Sequence, residues 1–243
     1  IEKNQDVKRQ QQLRNRLAPF MLRRDKSEVA TELPPKTEIL SEVELEGAQR
    51  ELYEKIRASM HEKVKQSVDK KGLSGSHIVI LDALLKLRQV CCHPQLIKNT
   101  EYKLPKQSAK LNQLMEMLPE MVEEGRRILL FSQFTSMLSI IEVELKKHKI
   151  EYVILTGQTR NREKPVDEFQ EGKVPVFLIS LKAGGSGLNL TAADTVIHYD
   201  PWWNPAVERQ ATDRAHRIGQ DKPVFVYKMI TGGTVEEKIV NMQ

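Results

Sequence analysis

Residues 176–199 read VFLISLKAGGSGLNLTAADTVIHY, in which a loop with three glycines separates two short apolar runs. The runs are Val176–Ser180 and Thr195–Tyr199, and both are too continuous to leave one face of a strand in water. Strands that are buried on both faces are typical of parallel sheets. This stretch therefore predicts the interior of a parallel sheet.

The chain repeats this pattern from Ser108 to its end. Similar apolar runs predict further strands at Arg127–Phe131, Tyr152–Leu155 and Val224–Met229. Segments between the runs predict helices at Phe134–Lys147, Arg162–Gln170 and Asn204–Arg217. Asn204 before Pro205 is a typical helix start, and Thr234 with Glu237 predicts a capping box. The alternation of strands and helices predicts a doubly wound α/β domain.

The part of the chain before this domain predicts one strand and a helical region. Polar and apolar residues alternate over Thr37–Leu45, which predicts a half-buried strand. Apolar residues at every fourth position of Leu52–Val68 predict a long amphipathic helix, and Ile78–Val90 predicts a second one. The glycines within Asp69–Ser76 predict a flexible break between the two helices.

Composition excludes several classes of protein. The 243 residues are 40% hydrophobic and 29% charged, which fits neither a collagen-like nor a broadly disordered chain. No apolar run approaches the roughly 20 residues of a membrane span, so we expect no membrane partner. The net charge of +5 lies entirely in residues 1–27, and the balanced remainder makes global charge a weak indication of a nucleic-acid partner.

The cysteines and the two ends of the sequence give further expectations. Cys91 and Cys92 are adjacent and cannot build a disulfide framework, which suits a reducing compartment. With His93 they lack the spacing and the fourth ligand of a zinc site. Because the first residue is Ile1 and the last residues continue an apparent helix, we expect the chain to be part of a longer protein.

Loops that follow predicted strands are the places to look for a site, because ligands of α/β sheets bind at the carboxyl ends of the strands. The glycines at residues 184–187 allow backbone N–H groups to approach an anion, although a tight turn explains them equally well. No Gly-Lys-Ser/Thr follows at the required spacing anywhere in the sequence. The chain therefore lacks the usual phosphate-binding loop for a nucleoside triphosphate and Mg²⁺.

The predicted helix after Pro205 presents two arginines. Gln210, Arg214 and Arg217 are spaced to share one helical face. The neighbouring face is apolar and would pack on the sheet, with Val207, Ala211, Ala215 and Ile218. The arginines would then point outward, either toward a ligand or into ion pairs with the local carboxylates Asp213 and Asp221.

Several stretches together resemble one family. Residues 210–220 read QATDRAHRIGQ, residues 183–193 read AGGSGLNLTAA, and residues 131–134 read FSQF. Further stretches are LRR at 22–24, LPPK at 33–36 and LRQVCCHP at 87–94. In their order along the chain they resemble the Swi/Snf-type, double-stranded-DNA-stimulated ATPases of helicase superfamily two. The last two motifs of that family's second lobe match almost letter for letter.

This resemblance implies a second RecA-like lobe, an α/β parallel sheet flanked by helices. Residues 1–36 would be a basic linker between lobes, residues 37–107 a strand and a helical protrusion inserted in the second lobe, and residues 108–243 the lobe itself. The first RecA-like lobe of the same protein would hold ATP and Mg²⁺. The isolated chain should then be inactive as an ATPase.

The resemblance also implies site residues. Arg214 and Arg217 would be arginine fingers that neutralise charge on the γ-phosphate, and Gln210 would help to place them. Gly187 and Asn189 would contact the nucleotide, although related helicases often carry Asp at the position of Asn189. Double-stranded DNA would be held through its phosphates. The residues expected to contact DNA are Ser132, Gln133, Arg162, Lys182, Ser186 and Trp203.

Trp203 has two interpretations, since it would either wedge near the DNA or pack beneath its loop. His198 is expected to be a hydrogen-bonded imidazole in the core, and Met115, Met117 and Met121 are expected to fill core space.

For the intact protein the resemblance implies an ATP-driven translocase on double-stranded DNA that remodels protein–DNA complexes. The alternatives are a non-catalytic interaction module with the same fold and an unwinding superfamily-two helicase acting on RNA or DNA. The expected location is the nucleoid in a prokaryotic cytoplasm or the nucleus of a eukaryote. The remodelled DNA-bound protein does not follow from the sequence.

Overall fold

The computed structural model describes residues 7–21, 32–98, 100–183 and 187–243. Contacts divide the chain into two units, residues 1–33 and residues 34–243. The described part of the first unit contains helix α1 (Val7–Leu17) and a 3₁₀ turn at Ala18–Phe20, and none of these residues is buried. The basic helix therefore has no apolar core of its own.

The second unit is built on a six-stranded sheet in which all neighbouring strands are parallel. The strand order is β1-β6-β5-β2-β4-β3. The strands are β1 (Lys36–Val43), β2 (Ile128–Ser132), β3 (Tyr152–Leu155), β4 (Val176–Ser180), β5 (Thr195–His198) and β6 (Val224–Thr231). The predicted strands and the parallel α/β class are thus confirmed.

Helices connect the strands and cover both faces of the sheet. They are α2 (Gly47–Gly75), α3 (His77–Cys92), α4 (Ala109–Glu123), α5 (Thr135–Lys147), α6 (Glu163–Gln170), α7 (Pro205–Thr212) and α8 (Val235–Asn241). We call α2 and α3 the protrusion. No helix among the described residues is both long and apolar enough to cross a membrane.

Alternate residues of the central strands face two separate apolar cores. Leu130 and Leu178 pack with residues of α4 and α5 on one face, whereas Leu129 and Phe177 pack with residues of α6 and α7 on the other. Every residue of β2 and β4 is buried. Met121 is buried in the first core and Met115 and Met117 pack against it, as expected for core methionines.

Strand β1 lies at one edge of the sheet. It pairs with β6 from Lys36 opposite Val224 to Val43 opposite Thr231. Apart from Lys36, it belongs to residues 37–107, which were expected from the sequence to be a strand and a helical protrusion inserted in the second lobe. Its alternating polar residues reflect this edge position, because only Ile39, Ser41 and Val43 are half-buried and the rest are exposed.

Two helix boundaries also differ from expectation. Helix α2 continues to Gly75, so the predicted break over Asp69–Ser76 narrows to a kink at Gly72, whose φ of 69° is left-handed and favours glycine. Helix α7 begins as predicted, with the Ala206 N–H donating to Asn204 Oδ1 over 3.0 Å. It ends at Thr212 instead of Arg217.

A buried ion pair joins helix α4 to the last helix, α8. Lys110 Nζ lies 2.5 Å from Glu236 Oε2, and both side chains are fully buried. The same Glu236 oxygen accepts hydrogen bonds from the Thr231 N–H and hydroxyl, each over 2.9 Å. Burial lowers the pKa of Lys110, but the Glu236 charge and the neighbouring thiols outweigh it, so the pKa lies above its ordinary value.

His198 is buried in β5 as predicted, but only one of its nitrogens is hydrogen-bonded. Nε2 lies 3.0 Å from the Thr212 hydroxyl, and the ring stacks on Phe131 with centroids 5.6 Å apart. Nδ1 has no partner among the described residues. Burial lowers the pKa of His198 from 6.5 to about 3, helped by the charge of Lys228.

Removing the ammonium from the buried pair should strongly destabilise the lobe. Lys110→Met leaves the Glu236 carboxylate buried without its counter-charge, which costs about 3–5 kcal/mol of unfolding free energy. Urea denaturation measures this loss. Lys147→Met is the control, since Lys147 is largely exposed and pairs with Glu144 on the surface. It should cost less than about 1 kcal/mol, and equal losses in the two variants would contradict a buried, mutually dependent pair.

The free energy of unfolding should decrease as the pH is lowered, because His198 is held neutral in the folded lobe. Because its folded-state pKa of about 3 lies below the ordinary 6.5, the unfolded chain binds a proton between these pH values that the folded chain does not. The unfolding free energy should therefore decrease as pH falls below 6.5, by up to about 1.4 kcal/mol per pH unit. His198→Gln should flatten this dependence in urea titrations at pH 7, 6 and 5, whereas His148→Gln, at an exposed position, should not. Identical pH profiles of wild type and His198→Gln would show that the imidazole is not held neutral.

Candidate functional site

All the strands are parallel, so their carboxyl ends meet at one edge of the sheet. Three loops leave this edge side by side, because β2 lies between β4 and β5. They contain Gln133 after β2, Lys182 after β4 and Trp203 after β5. The fold thus brings together residues that the sequence places up to 70 positions apart.

Asp200 organises two of these loops. Its carboxylate is fully buried and accepts the Ser132 hydroxyl over 2.5 Å and the Gln133 N–H over 3.2 Å. Burial raises the pKa of Asp200, while the Ser132 hydrogen bond and the charge of Arg88 oppose the rise. Ser132 was expected to contact DNA, but its side chain is fully buried and its hydroxyl donates a hydrogen bond to Asp200. Ser132 therefore stabilises the loop from the interior of the lobe.

Arg88 reaches these loops from the protrusion. It is only 2% exposed, and its Nη2 donates to the Pro201 carbonyl over 2.5 Å. The same nitrogen lies 3.9 Å from Asp200 Oδ2. Neither Arg88 nor Asp200 was expected from the sequence to take part in the candidate site. A carboxylate directly after a buried strand was the available signal for Asp200, whereas nothing in the sequence placed Arg88 near it.

A cavity of about 630 Å³ lies over this edge. It is lined by Leu81, Leu85, Arg88, Gln133, Phe134, Leu181, Lys182, Trp202, Trp203, Val207 and Gln210. We call it the edge cavity. Gln133, Lys182 and Trp203, three of the residues expected to contact DNA, share its wall. Trp203 is 39% exposed, so part of its side chain is packed against the protein and part is accessible to a ligand.

The structure gives less information about the other two residues expected to contact DNA, Arg162 and Ser186. Arg162 is half-buried at the start of α6, after the edge strand β3, and does not line the edge cavity. Ser186 lies outside the described residues, as do the neighbouring glycines Gly184 and Gly185 and the LRR stretch at 22–24.

The segment after α7 carries both arginines in turns instead of on a helix. Because α7 ends at Thr212, the expected shared face of Gln210, Arg214 and Arg217 does not form. Gln210 lines the edge cavity instead, and Ile218, which was expected to pack on the sheet, is 74% exposed. Ala211 and Ala215 are buried as expected.

After Thr212 the backbone bonds tighten, because the N–H groups of Arg214 and Ala215 donate to the carbonyls three residues before them. Gln220 Nε2 donates to the carbonyls of Thr191, Ala193 and Ala215 over 3.1, 2.7 and 3.0 Å. The Leu190 N–H donates to the Arg214 carbonyl over 3.0 Å. The bonds of Gln220 and Leu190 tie the arginine segment, residues 213–220, to the glycine-containing loop. The fixing role of Gln220 was not foreseen from the sequence.

Arg214 and Arg217 form a positively charged site in which one buried N–H group has no hydrogen-bond acceptor among the described residues. Arg214 is 6% exposed, and its Nε has no acceptor among the described residues. Burial lowers the pKa of Arg214, the nearby charge of Arg217 lowers it further, and Asp213 only partly compensates. Arg217 is half-exposed, and its Nη1 donates to the Leu188 carbonyl over 3.4 Å. A buried donor beside a second like charge fits an anionic ligand.

The end of the glycine-containing loop lies beside these arginines. Gly187 has a left-handed φ of 38°, which explains glycine at this position. Gly187 and Asn189 are exposed, and Leu188 between them bonds to Arg217. No group of three or more His, Cys, Asp or Glu within the described ranges is arranged to hold a metal ion. Cys91 and Cys92 are buried at the end of α3, where burial raises the pKa of both thiols.

Two family models match the chain. The model described as helicase conserved C-terminal domain matches residues 109–219, and the model described as SNF2-related domain matches residues 1–96. A putative ATP-dependent helicase/translocase of Bacillus subtilis is 44% identical over 98% of this chain and 26% of its own length. A human SWI/SNF-related, matrix-associated, actin-dependent regulator of chromatin, subfamily A member 1, is 41% identical over 97% and 23%. The chain thus spans about a quarter of the length of these relatives.

Solved structures show the same relationship. The SWI2/SNF2 ATPase C-terminal domain of Sulfolobus solfataricus is 34% identical, covers 85% of this chain and 84% of its own, and has a TM-score of 0.67. The ATPase core of the same organism in complex with double-stranded DNA is 34% identical over 98% of this chain and 50% of its own, with a TM-score of 0.70. The RecA-like architecture expected from the sequence is therefore confirmed. The chain belongs to the Swi2/Snf2 family of superfamily-two ATPases and corresponds to its C-terminal lobe.

Proposed function

We propose that the chain is the second motor lobe of an ATP-driven translocase on double-stranded DNA that remodels protein–DNA complexes. The observation that carries this proposal is the buried Arg214 Nε, which has no acceptor in the part of the chain that the structure describes, next to the half-exposed Arg217. An isolated surface helix would pair such charges with carboxylates. An arginine pair held for a phosphate supplied by another lobe leaves a donor unused until the phosphate arrives.

In this proposal the arginines act as fingers. Arg217 and Arg214 donate to oxygens of the γ-phosphate and neutralise the charge that develops during its transfer, which is worth about 10³–10⁵ in rate in other phosphoryl-transfer enzymes. Gln220 and the Leu190 N–H hold the backbone that carries them. Gly187 and Asn189 are assigned to the remainder of the nucleotide, and the bond from Arg217 to the carbonyl of Leu188, which lies between them, supports this assignment.

ATP and Mg²⁺ are assigned mainly to a first lobe. The sequence has no Gly-Lys-Ser/Thr phosphate loop, and the carboxylates of the described residues form no cluster suited to a metal. When bound, Mg²⁺ would neutralise part of the phosphate charge. This lobe would contribute the arginine donors, the nucleotide contacts of Gly187 and Asn189, and the surface that contacts DNA.

DNA is assigned to the sheet edge around the edge cavity. Gln133 and Lys182 present donors at the ends of neighbouring strands, and no carboxylate of the described residues lines the cavity. Such donors suit phosphate contacts, which position a protein on a duplex without reading its sequence. The Sulfolobus ATPase core that this chain resembles was solved with double-stranded DNA, and the similar Bacillus protein is named a helicase/translocase, which supports the assignment. The human relative is named a regulator of chromatin, which supports a remodelling role.

Loss of either finger should abolish most turnover in the intact protein. Arg217→Ala and, separately, Arg214→Ala should lower the DNA-stimulated kcat by about 10³ or more, with duplex affinity nearly unchanged. Lysine at either position should rescue poorly, because an ammonium lacks the planar fork that meets two phosphate oxygens. Steady-state ATPase rates with and without DNA, together with duplex affinities, measure both effects.

Two variants control this experiment. Arg209→Ala removes an exposed arginine from α7 and should leave turnover unchanged. Gln133→Ala combined with Lys182→Ala should weaken DNA stimulation while sparing basal hydrolysis. If Arg217→Ala kept normal turnover but lost duplex affinity, the segment would be a DNA-binding surface and the finger assignment would be wrong. Absence of ATP turnover in the wild-type intact protein would favour a non-catalytic module, and normal turnover in both Arg214→Ala and Arg217→Ala would contradict the finger assignment.

The 243-residue chain should itself bind duplex DNA weakly and without sequence preference. Its affinity should fall steeply with salt, because each phosphate contact releases about 0.9 counterions. Lys182→Ala should reduce the slope of log affinity against log salt by about 1. Titrations of two unrelated duplexes at several salt concentrations measure this. Lys173→Ala is the control, since Lys173 is an exposed residue just before β4, at the opposite edge of the sheet. A strong preference for one duplex, or binding that is insensitive to salt, would contradict phosphate contacts.

A further inference from the structure

We propose that Arg88, on helix α3 of the protrusion, is a positioning residue that sets the geometry of the two DNA-facing loops after β2 and β5. This inference rests on the proposed DNA role of the edge cavity. It goes further because it assigns the protrusion a task, namely holding the DNA-facing surface of the lobe in shape.

The contacts of Arg88 span both loops. Its guanidinium carbon lies 5.9 Å from the ring centroid of Phe134, in the loop after β2. It lies 5.5 and 5.1 Å from the ring centroids of Trp202 and Trp203, in the loop after β5. These distances fall within the range of cation–π attraction. One planar group therefore contacts three aromatic rings from two loops that are distant in sequence.

Hydrogen bonding and charge fix the guanidinium among these rings. Nη2 donates to the Pro201 carbonyl, which precedes the two tryptophans, over 2.5 Å. The same nitrogen lies 3.9 Å from Asp200 Oδ2, a distance at which the charges attract without a direct hydrogen bond. Asp200 in turn accepts the Gln133 N–H. Gln133 and Trp203, both assigned to DNA, are thus tied through Arg88 and Asp200 to the same buried pair of charges.

Burial makes this arrangement specific to arginine. Arg88 is 2% exposed and Asp200 is fully buried, so neither charge can exchange its partner for water at low cost. A lysine carries the charge but not the planar face that lies near several rings at once, and a methionine of similar length carries neither. Arg88 does not need to touch DNA, since it acts on Gln133 and Trp203.

Tryptophan emission reports on these contacts directly. The sequence has two tryptophans, and both are neighbours of Arg88. In the 243-residue chain, Arg88→Lys and Arg88→Met should change the emission intensity and shift its maximum to longer wavelength as the rings lose their neighbour. Trp202→Phe and Trp203→Phe backgrounds separate the two signals, and both should respond.

Duplex affinity tests the positioning role itself. Arg88→Lys should raise the Kd for duplex DNA by about tenfold, and Arg88→Met by more, because losing one hydrogen bond to a charged phosphate weakens binding by about that factor. Thermal unfolding should stay cooperative in Arg88→Lys, which separates misplaced loops from a lost fold. Lys86→Met is the matched control, two residues away on the same helix and paired with Asp82 on the surface. It should leave both emission and affinity unchanged.

The outcomes separate this inference from the proposed function. If the wild-type chain binds duplex but Arg88→Met binds equally well with unchanged emission, Arg88 only fills space and the inference is overturned. Changed emission with unchanged affinity would also overturn it, because the loops would then move without consequence for DNA. If the wild-type chain binds no duplex at all while both tryptophans respond to Arg88→Lys, the DNA assignment of the proposed function fails, although Arg88 does hold the loops.

Discussion

The burial of β2 and β4 on both faces is the constraint on which the rest of the lobe depends. No residue of these strands reaches water, so helices must cover both sides of the sheet and polar side chains are excluded from its middle. Groups that interact with charged ligands are therefore found where the strands end. Because all strands are parallel, these ends meet at one edge, and Gln133, Lys182 and Trp203 become neighbours.

Three buried charged groups in the lobe illustrate different uses of the same electrostatic cost. Lys110 is fully paired with Glu236, so its charge serves the fold. Asp200 accepts hydrogen bonds from both Ser132 and Gln133, so its charge shapes a loop. Arg214 has an Nε without an acceptor within the described ranges, as Arg88 does, and the pKa of Arg214 is lowered by burial and by Arg217. Arg88 lies near the opposite charge of Asp200, whereas Arg214 lies near the like charge of Arg217, and this combination supports an anionic ligand at Arg214.

The sequence predicted the fold well because the decisive signals are local. Continuous apolar runs predict buried parallel strands, and Asn204 with Pro205 marks the start of α7 by chemistry that acts within three residues. The end of α7 was mispredicted for the opposite reason. Periodicity continues through Arg217, but the backbone tightens into turns after Thr212, and the segment is held there by bonds from Gln220 and Leu190 that join distant loops.

The candidate site depends less on local rules. Motif resemblance singled out Arg214, Arg217, Gln133 and Lys182, but it did not distinguish an exposed donor from a buried one. Ser132 is the last residue of β2 and Gln133 follows it, but the Ser132 side chain points inward to Asp200. Arg88 lies on helix α3, 112 positions before Asp200, and no local sequence rule predicts a contact between the two residues. Tertiary contacts of this kind require the structure.

The imidazole of His216 connects the arginine segment to the residues just before β1. Its Nε2 lies 2.9 Å from the Pro34 carbonyl, at the first residue of the second unit. The segment that carries Arg214 and Arg217 is therefore linked to two separate parts of the lobe, the glycine-containing loop through Leu190 and the start of the edge strand through His216.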